Sequence, residues 1–241
     1  MNMYIVTGAS KGIGFELLKQ LSAKGHFVIG IARTASVLDG VKFIEADLTN
    51  TDTLESLMDE ILFAAPKKTT SFTLINNAGT VEPIGLIGTV NAENMTNAMA
   101  LNLTAPLILS NAFIKKLRDC EGLKRIINIS SGAGRNAYEG WGTYCTTKAG
   151  LDQFSRVVSL EQENAAFPVG IVSIAPGIID TDMQETIRES KEEAFPLLGR
   201  FIDYKEKGLL SSAEQTATRL IKFMENVDLS TIDPIADLRD Y

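Results

Sequence analysis

The chain has 241 residues, 45% of them hydrophobic, enough for a substantial core and for one large α/β domain spanning residues 1–241. Its formal net charge of -7 argues against a nucleic-acid partner, because gripping a polyanion takes clustered Lys and Arg. Two cysteines, Cys120 and Cys145, with neither CxxC nor zinc-like spacing, exclude a disulfide scaffold, predict no metal and fit a reducing cytoplasm. With no basic leader and no run of about twenty apolar residues, the expectation is a soluble protein that does not engage a membrane.

Short apolar runs alternate with longer amphipathic stretches, the pattern of repeated βα units around a parallel sheet. Strands are predicted over residues 4–6, 27–31, 42–45, 73–75, 125–129, 169–174 and 232–238. Helices are predicted over residues 13–24, 53–64, 97–118, 144–164 and 213–225. Right-handed crossovers then give a Rossmann-type, doubly wound parallel sheet flanked by helices. Residues 180–208, rich in charge and carrying Phe195, Pro196, Leu197 and Phe201, read as a mobile lid with an apolar underside; an ordinary surface helix pair is the alternative.

Gly8, Gly12 and Gly14 follow the first strand and open the first helix, so that backbone N–H groups at a positive helix end can face a diphosphate. The spacing is GxxxGxG. After the second strand an acidic residue would chelate a ribose diol, but the chain reads Ala32-Arg33-Thr34 and offers a guanidinium to a 2′-phosphate. With Lys11 as a second cation, this predicts NADPH over NADH. Further on, Tyr144 and Lys148 lie four residues apart and share a helix face, where an ammonium favours the ionised phenol. A phenol so tuned can hand a proton to a carbonyl oxygen. His26 is the only histidine, which nearly excludes histidine triads and histidine zinc sites, and Cys145 reads as a small packed residue.

These residues together resemble the short-chain dehydrogenase/reductases over essentially the full length of the chain. The resemblance implies that the loop Thr7 to Gly14, with Ser10 and Ile13, binds the cofactor diphosphate. It implies that Asp47 and Leu48 contact adenine, and that Asn77, Ala78 and Gly79 of Asn-Asn-Ala-Gly lie beside the cofactor. Pro176, Gly177, Ile179 and Thr181 correspond to the nicotinamide-amide clamp. Ser131, thirteen residues before Tyr144, and Tyr144 itself become donors to the substrate oxygen. Lys148 becomes the partner of the ribose hydroxyls, and Asn102 the holder of a proton-relay water.

Within the family, Gly140 to Cys145 and Asp180 to Gln184 are similar to segments of sepiapterin reductases. Leu74 to Gly79, Leu101 to Pro106 and Lys148 to Asp152 are similar to bacterial reductases of benzil to (S)-benzoin. Asp237 stands where sepiapterin reductases anchor the pterin, although a strand-end carboxylate facing water explains it as well. The implied reaction is hydride transfer from NADPH to a ketone or diketone. Sepiapterin reduction, 3-oxoacyl thioester reduction and a non-catalytic NADP(H) sensor stay open. The substrate pocket is expected outside the carboxyl ends of the strands, against Ser131, Tyr138, Trp141, Tyr144, Ile178 and Met183, unless Tyr138 and Trp141 pack in an oligomer contact. The family likeness also implies a homodimer or homotetramer formed through the two long helices.

Overall fold

The structure is a computed structural model describing residues 1–241. Strand β1 (Asn2–Thr7) is buried along nearly its whole length, which is why it reads as a continuous apolar run and not as an alternating one. It lies between β2 (Phe27–Ala32), which pairs outward with β3 (Val41–Glu45), and β4 (Ser71–Asn76). Beyond β4 come β5 (Leu123–Ile129) and β6 (Val169–Ala175), giving a seven-stranded, all-parallel sheet in the order β3-β2-β1-β4-β5-β6, closed by a last short strand at Ile235–Asp237. All seven expected strands are present, the final one shorter than the 232–238 predicted.

Helices cover both faces, and β1 shows how one strand serves two layers. Met3 and Ile5 join the core under α2 (Leu54–Phe63), α4 (Ala105–Leu117) and α5 (Gly142–Gln162). Tyr4 and Val6 point the other way, into the layer of α1 (Gly12–Ala23) and α8 (Ala213–Asn226). The helix expected from residue 97 begins earlier, as α3 (Ala92–Met99), because Asn91 caps it by accepting from Glu93 N at 2.8 Å. It runs into α4 through a π-helical turn, Ala100–Thr104. By length and mean composition alone this 26-residue unit would pass as a membrane span, although Asn97, Asn102, Thr104, Ser110 and Asn111 interrupt any apolar run. Here it is a core helix, with Leu109, Ala112 and Phe113 fully buried.

Two adjacent cations at the start of β5 tie the layers together. Lys124, 1% exposed, points to one face and donates to Leu117 O, on the last residue of α4, at 3.3 Å, and to Cys120 O in the turn that follows. Arg125 points to the other face and donates to Met224 O near the end of α8. Each charge meets the negative end of a helix, the arrangement that offsets the cost of burying it.

Residues 180–208 form a helix pair, not an irregular loop. Strand β7 (Ile179–Asp180) pairs with β8 (Ser211–Ser212), and between them stand α6 (Asp182–Arg188) and α7 (Leu198–Glu206). The expected apolar underside is there: Ile187, Phe195 and Phe201 are buried against Trp141 and Tyr144.

Candidate active site

One cavity of about 1140 Å³ runs along the carboxyl ends of β1, β2, β4, β5 and β6, where open α/β sheets place their ligands. At one end it is floored by the glycine loop. Gly8 and Gly12 hold φ of +65° and +57°, in the left-handed region that favours glycine. A Cβ on Gly14 would come within 2.3 Å of Gly8 O, so Gly14 serves the packing of the turn from beneath. No side chain caps the first turn of α1, which leaves its N–H groups directed at the cavity. Thr7, buried behind the loop, accepts from Asn77 N at 2.9 Å and Ala78 N at 3.0 Å, while Asn77 Nδ2 donates back to Thr7 O and Gly8 O. The loops after β1 and β4 are thereby one unit.

Ser10, Lys11, Gly12, Ile13, Arg33, Asp47, Leu48, Asn77, Ala78, Gly79, Pro176, Gly177, Ile179 and Thr181 all line this cavity, with Gly8. Thr34 does not; it is exposed beyond the end of β2. Arg33 is exposed on the wall and faces Asp47, whose carboxyl is held below the usual carboxylate range chiefly by hydrogen bonds from Thr49 N and Thr49 Oγ1, with Arg33 adding to the effect. Lys11, the second cation of the loop, is partnered. It pairs with Asp182 at 2.6 Å, across the cavity mouth to α6.

In the middle stand the residues of the Ser-Tyr-Lys set. Ser131 begins a tight turn after β5, its Oγ accepting from Ala133 N at 3.2 Å. Tyr144 lies in the first turn of α5, and Lys148 one turn on; all three line the cavity. Lys148 donates to Ile129 O at 2.8 Å and sits 5.7 Å from the centre of the Tyr144 ring. Burial lowers the Lys148 ammonium to about 8, partly opposed by the Asp152 carboxylate. The expected lowering of the phenol by this ammonium is not the net result. Burial pushes Tyr144 up, and hydrogen bonding with Ser131 pulls it back.

Asn102 is off the cavity wall, 1% exposed, in the π-helical turn. Its Oδ1 accepts from Thr80 N at 2.8 Å and its Nδ2 donates to Thr80 O at 2.7 Å. A Cβ on Gly79 would come to 3.2 Å from Asn102 Oδ1, a tight contact, and to 3.8 Å from Lys148 Nζ, so the three groups are close neighbours. A π turn inside an α-helix leaves irregular backbone where function often sits.

The far end of the cavity is aromatic. Trp141 stacks on Phe195 with ring centres 4.7 Å apart and meets Phe201 at 5.1 Å, Tyr144 at 5.4 Å and Tyr138 at 5.5 Å. Met183 packs against this cluster, and Ile178 lines the same cavity. Trp141 is thus inside the chain, which removes the alternative of an oligomer contact for its ring. Phe201, Tyr204 and Arg200 also line the cavity and were not identified in the sequence as site residues. Only the apolar character of residues 195–201 hinted at them. Asp237 lines the cavity too, but is clasped by Arg239, whose Nη2 lies 2.6 Å from its Oδ2.

The family model described as "short chain dehydrogenase" matches residues 2–192. The chain is 39% identical over 228 residues to benzil reductase ((S)-benzoin forming) of Bacillus subtilis (strain 168), covering 93% of this chain and 94% of that protein. It is 32% identical to sepiapterin reductase of Meriones unguiculatus, over 92% of this chain and 90% of that one. Among solved structures, the KRED1-Pglu enzyme superposes with a TM-score of 0.85 at 27% identity, covering 98% of this chain and 100% of that one. With the seven-stranded parallel sheet, the glycine loop and the Ser131, Tyr144 and Lys148 set on one cavity, these matches make the chain an oxidoreductase that belongs to the short-chain dehydrogenase/reductase family, whose fold holds a nicotinamide cofactor.

Proposed function

We propose that the protein is an NADPH-dependent carbonyl reductase that converts an aromatic ketone or diketone to the hydroxy compound, with benzil to (S)-benzoin as the type reaction. The observation that carries this reading is the meeting, in one cavity, of a buried phenol, a Ser hydroxyl and an aromatic wall. The floor of the cavity fits a dinucleotide. Its N–H groups are uncapped, its glycines leave no side chain in the way, and the exposed Arg33 on the same cavity wall supports a 2′-phosphorylated cofactor.

Bound NADPH would supply a hydride to the carbonyl carbon. As negative charge grows on the carbonyl oxygen, Ser131 Oγ and Tyr144 Oη donate hydrogen bonds to it, and the Tyr144 proton completes the alcohol. The phenol is raised by burial, so it holds its proton until that charge draws it off. The Lys148 ammonium would hold the ribose and stabilise the phenolate left behind. The Asn102 amide is committed to Thr80, so a relay water would be held through its main-chain carbonyl in the π turn.

Benzil, sepiapterin and an acetoacetyl thioester, offered in turn with NADPH, discriminate the substrate classes. Benzil turnover giving mainly one benzoin enantiomer on a chiral column supports the proposal, and exclusive turnover of either other substrate overturns it. Pterin reduction is disfavoured because Asp237 already holds the Arg239 guanidinium. We further propose a cytoplasmic homodimer or homotetramer formed through α4 and α5, where Val157 and Leu160 are exposed.

A further inference from the structure

We propose that Asp152 is a positioning residue of this reaction, whose buried carboxylate keeps Lys148 in its ammonium form and fixes the turn that carries Ser131. The inference rests on the reductase reading above. Asp152 lies four residues beyond Lys148, so Tyr144, Lys148 and Asp152 form one stripe along α5 that leads inward from the cavity. The carboxylate is 3% exposed. Its Oδ1 accepts from Ser130 Oγ and from Ser173 Oγ, both at 2.6 Å, and its Oδ2 from Arg135 Nε at 3.3 Å.

Each partner leads to a different part of the site. Ser130 is the residue before Ser131; Ser173 is on β6; Arg135 donates through Nη2 to Ala236 O at 2.8 Å, in the strand that ends at Asp237 on the cavity wall. The turn after Ser131 lies directly on this part of α5. A Cβ on Gly134 would meet Asp152 Oδ2 and Lys148 O, both at 2.9 Å. A buried anion is costly unless its charge is answered, and the Arg135 guanidinium, 29% exposed, answers it only from the side away from Lys148 Nζ, which donates elsewhere.

Lys148 makes no ion pair of its own; Asp152, one helical turn on and itself paired with Arg135, is the one acidic group whose field reaches it. On α5 it faces Tyr144, neutral with its proton in place, and Asp152. From the segment after β5 it faces Ser131 and, behind Asp152, the Arg135 cation. From the loop after β4 and the π turn come only the uncharged Gly79 and Asn102. At the C-terminal edge Asp237 and Arg239 neutralise one another. Burial lowers the ammonium and the Asp152 charge raises it, so removal of that charge must lower it further. Removal of the Arg135 cation, which competes for the same carboxylate, must act in the opposite direction.

The test follows the titration of Lys148 by NMR in cofactor-free protein carrying lysine labelled at Cε, with the resonance assigned by its disappearance in Lys148→Met. Asp152→Asn is expected to move the Lys148 midpoint down by about one pH unit. Arg135→Gln is expected to move it up. In turnover assays Asp152→Asn should lower kcat about tenfold or more, and the alkaline loss of activity should begin at lower pH. An unchanged midpoint in Asp152→Asn, even with kcat reduced, makes the residue a brace and overturns the proposal. Equal signs for the two variants overturn it as well. Should Asp152→Asn not fold, Arg135→Gln alone decides: an upward shift supports the proposal and no shift overturns it. Wild-type protein inert toward every carbonyl would sink the reductase reading, while the NMR titration would still settle what Asp152 does to Lys148.

Discussion

At the end of the cavity beneath α1 the wall is mostly main chain: glycines, free N–H groups and two loops bound to each other through Thr7 and Asn77. At the end beneath α6 and α7 it is side chain, a stack of rings around Trp141 drawn from residues 138 to 204. Backbone donors are fixed by φ and ψ and recognise what dinucleotides share, phosphate and charge. Rings recognise shape and apolar area, and a change in one of them changes which molecule fits. Ser131, Tyr144 and Lys148 stand between the two ends and serve both.

If that division is right, the largest effect comes from the centre. Tyr144→Phe should reduce kcat by about 10³-fold, within the range for loss of a positioned proton donor, while NADPH binding followed by its fluorescence stays close to wild type. Retained turnover would break the comparison at its middle. At the backbone end, Arg33→Asp should cut the ratio of kcat/KM for NADPH over NADH by about 10- to 100-fold, as expected for loss of a charged hydrogen bond to phosphate plus a new repulsion. Activity with benzil under saturating NADH should survive. At the aromatic end the pattern should invert. Phe201→Ala should raise KM for benzil several-fold, leave the cofactor preference alone, and destabilise the fold by about 3 kcal/mol in denaturant titrations.

The next effect is on stability against pH. Lys148 titrates near 8 in the folded protein, below its unfolded value, so its burial as a cation costs stability on the order of 3 kcal/mol at pH 7. That cost fades as pH rises from about 8 toward 10.5, where the unfolded chain still holds the proton that the folded chain has lost. Lys148→Met should therefore be more stable than wild type at pH 7, with the gap closing at alkaline pH. Smallest of all, Asp182→Asn should shift stability by less than about 1 kcal/mol, because the pair with Lys11 is largely exposed. By freeing Lys11 it should tighten NADPH binding about twofold, a small effect that would sharpen how far the two ends communicate.

The backbone end was legible in the sequence because its requirements are local. Gly8, Gly12 and Gly14 sit within seven residues, and short apolar runs between amphipathic stretches locate the strands around them. Tyr144 and Lys148 were legible because one helical turn brings i and i+4 together. The aromatic end was legible only as composition. That Phe195 would stack on Trp141, 54 positions earlier, depends on Gly140 at φ +81°, where a Cβ would meet Ala194 O at 2.4 Å. Asn102 in its π turn leaves no trace in a 3.6-residue periodicity, and the Asn91 cap that starts its helix five residues before the expected point is visible only once the hydrogen bonds are drawn. Asp152 escaped for a related reason. A lone acid on a helix reads as solvated, and its three donors come from the segment after β5 and from β6.

The neighbouring cations that open β5 bear on how the chain finds this arrangement. If β5 slipped by a single position against β4 or β6, Lys124 and Arg125 would exchange faces, and the carbonyl ends of both α4 and α8 would each lose a side-chain donor at once. Misregistered pairing is therefore penalised on two sides by one dipeptide. Since Ser131 follows directly from this strand, the same dipeptide sets, from the opposite end of the sheet, the height at which the serine hydroxyl stands.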